Sequence, residues 1–357
     1  MIINSSVSFK SKAPTRIDLA GGTIDIWPLY AFLQTPMTVN LAIDLFAEAK
    51  VEEISQEGVV LEASDQNVSI KLGWEELRKA KVPPALDLHH KLLKHFLDEK
   101  TKSTGLKPST GLKLSTLARS PAGAGLGGSS AISVAIIGVL ANWVRGSFDQ
   151  ERDGERLIQI TRDIETTVIQ VPAGVQDYYA AMFGGLQSLN WRAEMHEHRR
   201  LSRESLASLE KRLLLFYSGH SRNSGINNWA LFKSFIDTPK EVRPKFQEIA
   251  DSAVQLEKAI NAQDWNVAAE AINNDWRVRS SLAKAITTDS IDKAFDTANR
   301  ITKVAGKVCG AGGGGCFFIF MPNDDNSLRE RIRVEISKIE GIQTLPFKAV
   351  AHGLEVQ

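Results

Sequence analysis

The sequence predicts an α+β protein, and two observations carry this prediction. Strand-like and helix-like segments follow one another, but without the regular strand–helix–strand spacing of a doubly wound parallel sheet. The 357 residues, 43% of them hydrophobic and 24% charged, are also enough to build a large core. Length alone suggests two domains, and the rise in charge over residues 192–212 predicts a division into residues 1–195 and 196–357.

The individual elements are predicted in chain order from alternation, helical periodicity and turn residues. They are strands around a Gly-Gly turn within 6–53, a hairpin over 58–72, a helix over 74–100, a strand over 111–118, helices over 131–144 and 156–169, a short helix and a strand within 171–191, a strand over 212–219, several helices to about residue 300, a strand over 316–322, a helix over 326–339 and a final strand over 345–354.

Composition excludes several classes of function. A net charge of +1 gives no electrostatic basis for binding nucleic acid or a membrane surface. Cys309 and Cys316 are expected to be reduced thiols, and the N-terminus has no signal-peptide pattern, so we expect a soluble cytoplasmic protein. The histidines lack the spacing of a zinc site, and we expect them to be surface or half-buried residues.

The most informative segment is Pro-Ala-Gly-Ala-Gly-Leu-Gly-Gly-Ser-Ser-Ala at residues 121–131, between a predicted strand and a predicted helix. Glycines let backbone amides approach a ligand, and the start of a helix presents unpaired N–H groups at its positive end. The segment is therefore a candidate phosphate site. The residues expected to bind the phosphate donor are Pro121, Gly123, Gly125, Leu126, Gly127, Gly128, Ser129 and Ser130.

Two other nucleotide-binding loops share this outline but differ in sequence. A dinucleotide fold needs an acid at the end of a second parallel strand about twenty residues on, whereas Asp149 ends no predicted strand. A Walker loop needs lysine after its last glycine, and here Ser129 follows Gly128. The remaining alternative is a purely structural glycine turn between strand and helix.

Two further motifs flank this loop. Residues 12–25 read Lys-Ala-Pro-Thr-Arg-Ile-Asp-Leu-Ala-Gly-Gly-Thr-Ile-Asp, and residues 309–316 read Cys-Gly-Ala-Gly-Gly-Gly-Gly-Cys. The order and spacing of the three motifs resemble those of the GHMP small-molecule kinases, from about residue 10 to residue 320. The resemblance implies a GHMP kinase fold, with a ribosomal protein S5 domain 2-like N-terminal domain and a ferredoxin-like C-terminal domain. It also implies ATP as phosphate donor.

Phosphoryl transfer needs a divalent cation beside the phosphate cradle, and hard cations take oxygen ligands. The resemblance assigns Mg²⁺ to Ser129, with the neighbouring Ser130 as the alternative hydroxyl, and to Glu165 in the helical segment Ile-Glu-Thr-Thr-Val-Ile. The alternative for Glu165 is an exposed helix acid. The third motif, at residues 310–315, is expected to close the site with backbone beside the phosphate loop, with Gly312 and Gly313 near the substrate. A close helix–strand crossing would need glycine for the same reason.

The resemblance also assigns the base and its partner. Asp177 ends the segment Pro-Ala-Gly-Val-Gln-Asp, which is similar to the family loop whose aspartate faces the acceptor hydroxyl, with Gln176 as one extra residue. A carboxylate there can accept the hydroxyl proton. Arg16 matches the basic residue of the first motif and would pair with Asp177. A merely structural salt bridge is the alternative.

The first motif bears on the acceptor. Gly22 and Thr23 stand where galactokinases carry Glu and His, while Asp25 can accept hydrogen bonds from adjacent sugar hydroxyls. The segment is most similar to the openings of D-glycero-D-manno-heptose kinases and fucokinase-like sugar kinases. A phosphate on the acceptor would need basic partners, for which Arg222 is the first candidate and Arg277 and Arg279 are others.

The sequence thus predicts an ATP-dependent kinase that phosphorylates a hydroxyl of a sugar or sugar phosphate, with a heptose 7-phosphate as the first candidate. A mevalonate-type kinase of isoprenoid metabolism is the alternative within the fold. A non-catalytic nucleotide-binding regulatory protein is the alternative in another class. The expected partner is a small molecule, and a homodimer is one option for assembly.

Overall fold

The computed structural model describes residues 8–104, 110–194, 196–220, 224–283, 286–310 and 312–357. Arg222 of the predicted acceptor site lies outside the described residues. The strands of the described part are β1 (Ser8–Ala20), β2 (Met37–Ile54), β3 (Val59–Ala63), β4 (Val68–Leu72), β5 (Gly111–Ala118), β6 (Leu186–Asn190), β7 (Glu197–Arg200), β8 (Leu213–Tyr217), β9 (Ala305–Val308), β10 (Cys316–Phe320), β11 (Gln343–Thr344) and β12 (Glu355–Val356).

The helices occur singly or in consecutive runs between these strands. They are α1 (Pro84–Thr104), α2 (Gly128–Arg145), α3 (Gln150–Ile169), α4 (Gln176–Phe183), α5 (Arg203–Glu210), α6 (Ser224–Asp237), α7 (Pro239–Asn261), α8 (Trp265–Ser280), α9 (Asp289–Ile301) and α10 (Asn326–Ser337). The α+β prediction is confirmed.

The strands form two sheets. The first has the order β12-β1-β2-β5-β3-β4, with β6 added to β2 and β7 added to β6. Its pairs are antiparallel except for β3 and β5, which run parallel with Val59 opposite Leu112. The second sheet is antiparallel, in the order β11-β8-β10-β9. The chain leaves the first sheet after β7 and returns to it at β12, so the predicted division at residue 195 stays a prediction.

Three of the four hydrophobic cores in the described residues pack against these sheets. The first lies between the first sheet and α1–α4. The second joins the two halves, since it combines Ile17 and Leu41 of the first sheet with Phe318 of the second. The third covers the other face of the second sheet, where Phe317 and Ile319 contact residues of α9 and α10. Alternate residues of β10 thus serve different cores, as the two-residue period of a strand requires.

Helix α2 is the central helix of the first core. Its apolar run is buried on nearly all sides, with Ile136 and Leu140 fully inaccessible to solvent. By length and composition this one helix of the described residues is long and apolar enough to cross a membrane, but 67% of that stretch is buried inside the protein. The packing of α2 against β1 and β2 accounts for its apolar sequence.

Two predicted elements differ from the observed ones. The helix expected over 74–100 begins at Pro84, because Pro83 and Pro84 lack the N–H donors that a helix interior needs. The final strand expected over 345–354 is wrong. That segment crosses between the sheets, where Leu345 N–H donates to Leu215 O at 2.9 Å and Val350 N–H to Ala42 O at 3.0 Å. Its backbone donors are therefore used by two sheets rather than by one ladder.

Candidate active site

A cleft of about 800 Å³ opens between the first sheet, α2, α3 and the C-terminal half. It brings together most of the residues singled out in the sequence. From the predicted site it is lined by Arg16, Thr23, Asp25, Pro121, Gly123, Gly125, Leu126, Gly127, Gly128, Ser129, Ser130, Glu165 and Asp177. Gly22, Gly312 and Gly313 lie behind this lining.

The glycine loop forms one wall of the cleft. Gly123, Gly125 and Gly127 have φ values of +67°, +75° and +74°, which side chains with a Cβ rarely adopt. Helix α2 begins at Gly128, earlier than expected, so Ser129 and Ser130 belong to its first turn. No side chain caps this N-terminus. The first N–H groups of α2 therefore remain available to an anionic ligand in the cleft.

The C-terminal glycine loop packs directly against the first loop, as the third motif indicated. A Cβ on Gly125 would lie 2.5 Å from the carbonyl oxygen of Cys309, and Cys316 N–H donates to Ala124 O at 2.7 Å. Gly312 and Gly313 are exceptions to the prediction, because they pack against Ile286 instead of lining the cleft. Gly313 N–H donates to the Ile286 carbonyl at 2.7 Å.

Arg16 and Asp177 form an ion pair at the centre of the cleft. The Nε and Nη2 atoms of Arg16 both lie 2.7 Å from Oδ1 of Asp177, and Nη1 donates to Gly125 O at 2.6 Å. The Asp177 carboxylate also contacts the glycine loop, since a Cβ on Gly127 would lie 3.1 Å from it. Burial raises the pKa of Asp177, and the Arg16 charge acts against this rise. Arg16 thus holds an ionisable carboxylate beside the phosphate cradle.

Ser129 and Glu165 meet across the start of α2. Ser129 Oγ donates to Glu165 Oε1 at 2.7 Å, and the Tyr178 hydroxyl donates to Oε2. Glu165 is buried, so its alternative interpretation as an exposed helix acid is wrong. Burial raises the pKa of Glu165, while the two hydrogen bonds lower it. The sequence did not single out Tyr178, although it directly follows Asp177.

The oxygens of Ser129 and Glu165 fit a Mg²⁺ ion beside a bound phosphate. Mg²⁺ is usually held by one or two carboxylates, with phosphate oxygens and waters completing the shell. Within the described ranges, no three His, Cys, Asp or Glu side chains converge to form a metal cage. A metal at this place would therefore depend on the bound nucleotide for its remaining ligands.

Asp25 lines the cleft beside the loop that carries Asp177. Its Oδ2 accepts the backbone N–H of Gln176 at 3.0 Å, and its carboxylate lies so close to Gly174 that no Cβ would fit there. Burial raises the pKa of Asp25 to about 6, and the hydrogen bond from Gln176 opposes this rise. Thr23, two residues earlier, has φ +72°, a conformation that is strained for a β-branched residue.

The two described candidate arginines differ sharply. Arg279 is 1% exposed and lines the cleft, where one of its terminal nitrogens donates to Thr23 Oγ1 and to the Gly310 carbonyl, both at 2.8 Å. Arg277 is largely exposed and pairs with Glu248 at 2.9 Å. Gly22 lies next to Arg279, and a Cβ there would contact both Asp18 and the Arg279 Nη1 atom. Glycine at position 22 therefore makes room for the guanidinium.

A buried charge cluster behind this wall was missed in the sequence. Lys307 Nζ lies 2.7 Å from Oδ2 of Asp275 and 3.4 Å from Oδ2 of Asp18, and all three side chains are fully buried. Asp275 also accepts the N–H of Gly21 at 2.8 Å through Oδ1. The only local signal was the position of Asp18, which shares a strand face with Arg16 because side chains alternate along β1.

Comparison with known proteins agrees with this geometry. The family model of the GHMP kinases N terminal domain matches residues 87–185, which include the glycine loop, Glu165 and Asp177. The GHMP kinases C terminal model matches residues 256–338, which include Arg279 and the C-terminal glycine loop. Together the two models cover just over half of the chain.

Several individual proteins are similar over nearly the whole length. The D-glycero-alpha-D-manno-heptose 7-phosphate kinase of Campylobacter jejuni is 23% identical over 335 residues, which are 92% of this chain and 94% of that protein. The structure of a D-glycero-D-manno-heptose 1-phosphate kinase from Bacteroides thetaiotaomicron is 22% identical, with a TM-score of 0.73 over 98% of each chain. The Methanococcus jannaschii mevalonate kinase is 18% identical, with a TM-score of 0.73 over 98% of this chain and 99% of that one. With two matching family models and a cleft built from all three glycine motifs, this chain belongs to the GHMP kinases, a family of small-molecule kinases.

Proposed function

We propose that this protein transfers the γ-phosphate of ATP to a hydroxyl group of a sugar or sugar phosphate, with a heptose 7-phosphate as the first candidate acceptor. One observation carries the proposal: the Asp177 carboxylate lies between its cation, Arg16, and the glycine loop at Gly127. A base next to a phosphate cradle is the arrangement that transfer to an alcohol requires.

The phosphates of ATP would lie on the glycine loop and the N-terminus of α2. The lining of the cleft also includes Ala63, Pro84 and Leu88, whose apolar surfaces suit the flat nucleoside. His89 in this lining is bonded to Thr116 Oγ1 at 2.7 Å, and burial lowers its pKa to about 4. It is therefore neutral near pH 7 and adds no charge there.

A Mg²⁺ ion held by Ser129 and Glu165 would neutralise charge on the donor phosphates. The protein supplies this ion with one hydroxyl and one carboxylate, and Tyr178 fixes the position of that carboxylate. Arg16 contributes a second positive charge on the side of Asp177.

Asp177 would accept the proton of the acceptor hydroxyl as the oxygen–phosphorus bond forms. The bond between the γ-phosphorus and its bridging oxygen breaks, and ADP leaves. Arg16 orients the carboxylate by contacting Oδ1 with two of its nitrogens. Its charge also favours the ionised form of Asp177, which is the form that can accept a proton.

Asp25 supports a polyhydroxylated acceptor. It lies in the same cleft as Asp177, and a carboxylate can accept hydrogen bonds from two neighbouring hydroxyls. The similarity to a heptose 7-phosphate kinase over 92% of the chain points the same way. Mevalonate kinases are also among the similar proteins, and mevalonate therefore belongs in any test of acceptors.

The test is ADP release by the purified protein with ATP, Mg²⁺ and a panel of acceptors: D-glycero-D-manno-heptose 7-phosphate, the same heptose without phosphate, fucose, galactose and mevalonate. We expect turnover with a heptose or its phosphate and none with mevalonate. Product mass would show the addition of one phosphate. The Asp177→Asn variant should bind ATP and release no ADP above background.

Two results would contradict the proposal. If mevalonate were the single acceptor in the panel that is phosphorylated, the protein would be a mevalonate-type kinase instead. ATP binding without turnover on any acceptor would favour a regulatory protein on the same scaffold.

A further inference from the structure

Arg279 is a buried cation without a carboxylate partner. It is 1% exposed, and the described residues place no Asp or Glu oxygen within ion-pair distance of it. One terminal nitrogen binds the neutral oxygens of Thr23 and Gly310, while Nε and Nη1 have no hydrogen-bond partner in the part of the chain that the structure describes. A buried guanidinium is costly unless an anion or acceptor groups satisfy it. The unpaired N–H groups of Arg279 are therefore candidate donors to a bound anion.

The nearby acids are already engaged by another cation. Lys307 lies 2.7 Å from Asp275 and 3.4 Å from Asp18, and these three side chains have no contact with solvent. Within the described residues Lys307 is the ion-pair partner of both carboxylates, whereas Arg279 forms no such pair and joins the lining of the cleft. Gly22 leaves room for Arg279, because a Cβ atom at position 22 would lie only 2.9 Å from Nη1 of Arg279.

The position of Arg279 is on the acceptor side of the cleft. It holds Thr23, whose strained backbone lies two residues before Asp25. Asp25 in turn is bonded to Gln176, the residue before Asp177. An acceptor with one hydroxyl at Asp177 and others at Asp25 would thus extend along this wall towards Arg279.

We propose that Arg279 binds a phosphate group carried by the acceptor, so that the enzyme selects a sugar phosphate over the free sugar; this inference rests on the proposed phosphoryl transfer at Asp177. Each N–H donor of a guanidinium can form a charge-assisted hydrogen bond with a phosphate oxygen, and Nε and Nη1 are the donors that Arg279 has left among the described residues. The assignment is independent of Arg222, which lies outside the described residues.

The first test compares Arg279→Gln and Arg279→Lys with Arg277→Gln. Arg277 is a matched control because it is two residues away on α8 and pairs with Glu248 at the surface. For Arg279→Gln we expect the KM for heptose 7-phosphate to rise by about 10- to 100-fold, from the loss of a charged hydrogen-bonding pair. The KM for ATP should stay within about twofold of the unchanged protein, and the loss of efficiency on the unphosphorylated heptose should be clearly smaller than the loss on heptose 7-phosphate. Arg279→Lys keeps the charge but loses the planar set of N–H donors, so the KM of this variant should fall in between.

A second test measures anion binding without turnover. With a non-hydrolysable ATP analogue and Mg²⁺ filling the donor loop, inorganic phosphate should raise the melting temperature of the unchanged protein and of Arg277→Gln. It should raise the melting temperature of Arg279→Lys less, and that of Arg279→Gln not at all. The melting curves without phosphate also show whether each variant is folded, and Arg279→Lys decides the matter if Arg279→Gln is not.

The outcomes separate this inference from the proposed function. A rise in the KM for ATP, or an equal loss on phosphorylated and free heptose, would overturn the inference, because Arg279 would then serve the γ-phosphate or the fold. Equal wild-type efficiency on both acceptors would overturn it too, while the kinase proposal stands. A protein without turnover but with Arg279-dependent phosphate binding would keep the anion site and lose the sugar kinase assignment.

Discussion

The Asp25 carboxylate accepts the backbone N–H of Gln176 at 3.0 Å, although 151 residues separate them in the chain. This bond ties the turn after β1 to the start of α4, where Asp177 follows directly. Gln176 is the one extra residue in the loop before Asp177, and its backbone makes this link. The bond thereby connects Asp25, the proposed acceptor contact, to the loop that carries Asp177, the proposed base.

The pH dependence of acceptor binding should report on Asp25. Burial raises its pKa from 3.8 to about 6, so it ionises as the pH rises through that value. We expect the KM for the acceptor to fall as the pH rises from about 5 to 7, because the ionised carboxylate is the better hydrogen-bond acceptor. Steady-state kinetics over this range would check it, and Asp25→Asn should abolish the inflection.

Asp25 should also make the protein less stable as the pH rises, over the same range in which acceptor binding improves. The folded state holds the Asp25 proton more tightly than the unfolded state, whose pKa is near 3.8. The contribution of this proton to the free energy of unfolding is therefore present below pH 4 and lost as the pH rises to about 6. Urea unfolding of the unchanged protein and of Asp25→Asn at pH 4.5 and 7 should show this difference. An identical pH trend in both proteins would contradict it.

Removal of the Asp177 carboxylate should abolish turnover and leave nucleotide binding. We expect Asp177→Ala to lose about 10²- to 10⁴-fold in kcat, the usual contribution of a general base. Calorimetry should give a Kd for ATP close to that of the unchanged protein. Arg16→Met should also raise the pKa of Asp177 further, because Arg16 now opposes that rise. Full activity of Asp177→Ala would remove it from the mechanism.

The dependence on Mg²⁺ should separate two glutamates of α3. Glu165 lies against Ser129 in the cleft. Glu155 accepts a hydrogen bond from the Tyr179 hydroxyl, with an oxygen–oxygen distance of 2.6 Å, and is not part of the cleft lining. Glu165→Gln should raise the Mg²⁺ concentration for half-maximal activity roughly tenfold or more, because a charged ligand is lost. Glu155→Gln should leave it unchanged. A similar response of both variants would argue against a metal at Ser129.

Alanine at two glycines should separate backbone strain from close packing. Gly125 and Gly146 have φ values of +75° and +73°, but only Gly125 has a neighbour, the Cys309 carbonyl, within 2.5 Å of its Cβ position. Gly146→Ala should cost about 1–2 kcal/mol of stability and keep activity. Gly125→Ala must also displace the C-terminal glycine loop and should lower kcat on the order of 100-fold. Thermal melts and kinetics would check both; equal activities would contradict the close-packing argument.

Local patterns were enough for much of the fold. The strand over 111–118 and the hairpin within 58–72 were predicted correctly, because alternation and turn residues are properties of short segments. The prediction of a final strand over 345–354 was wrong because the backbone N–H groups of this segment donate to both sheets. No local sequence pattern indicates these partners.

The sequence by itself determined the glycine loop, its order among three motifs and the residue types of the site, since conformational freedom and chemistry belong to each residue. Only the tertiary structure decided which side chains meet. Arg277 and Arg279 are equivalent in the sequence, but two residues along a helix are about 200° apart, so they lie on opposite faces. The packing of α8 against β1 and β9 put Arg279 into the cleft and left Arg277 in solvent. Such long-range packing has no signature in any short stretch of the chain.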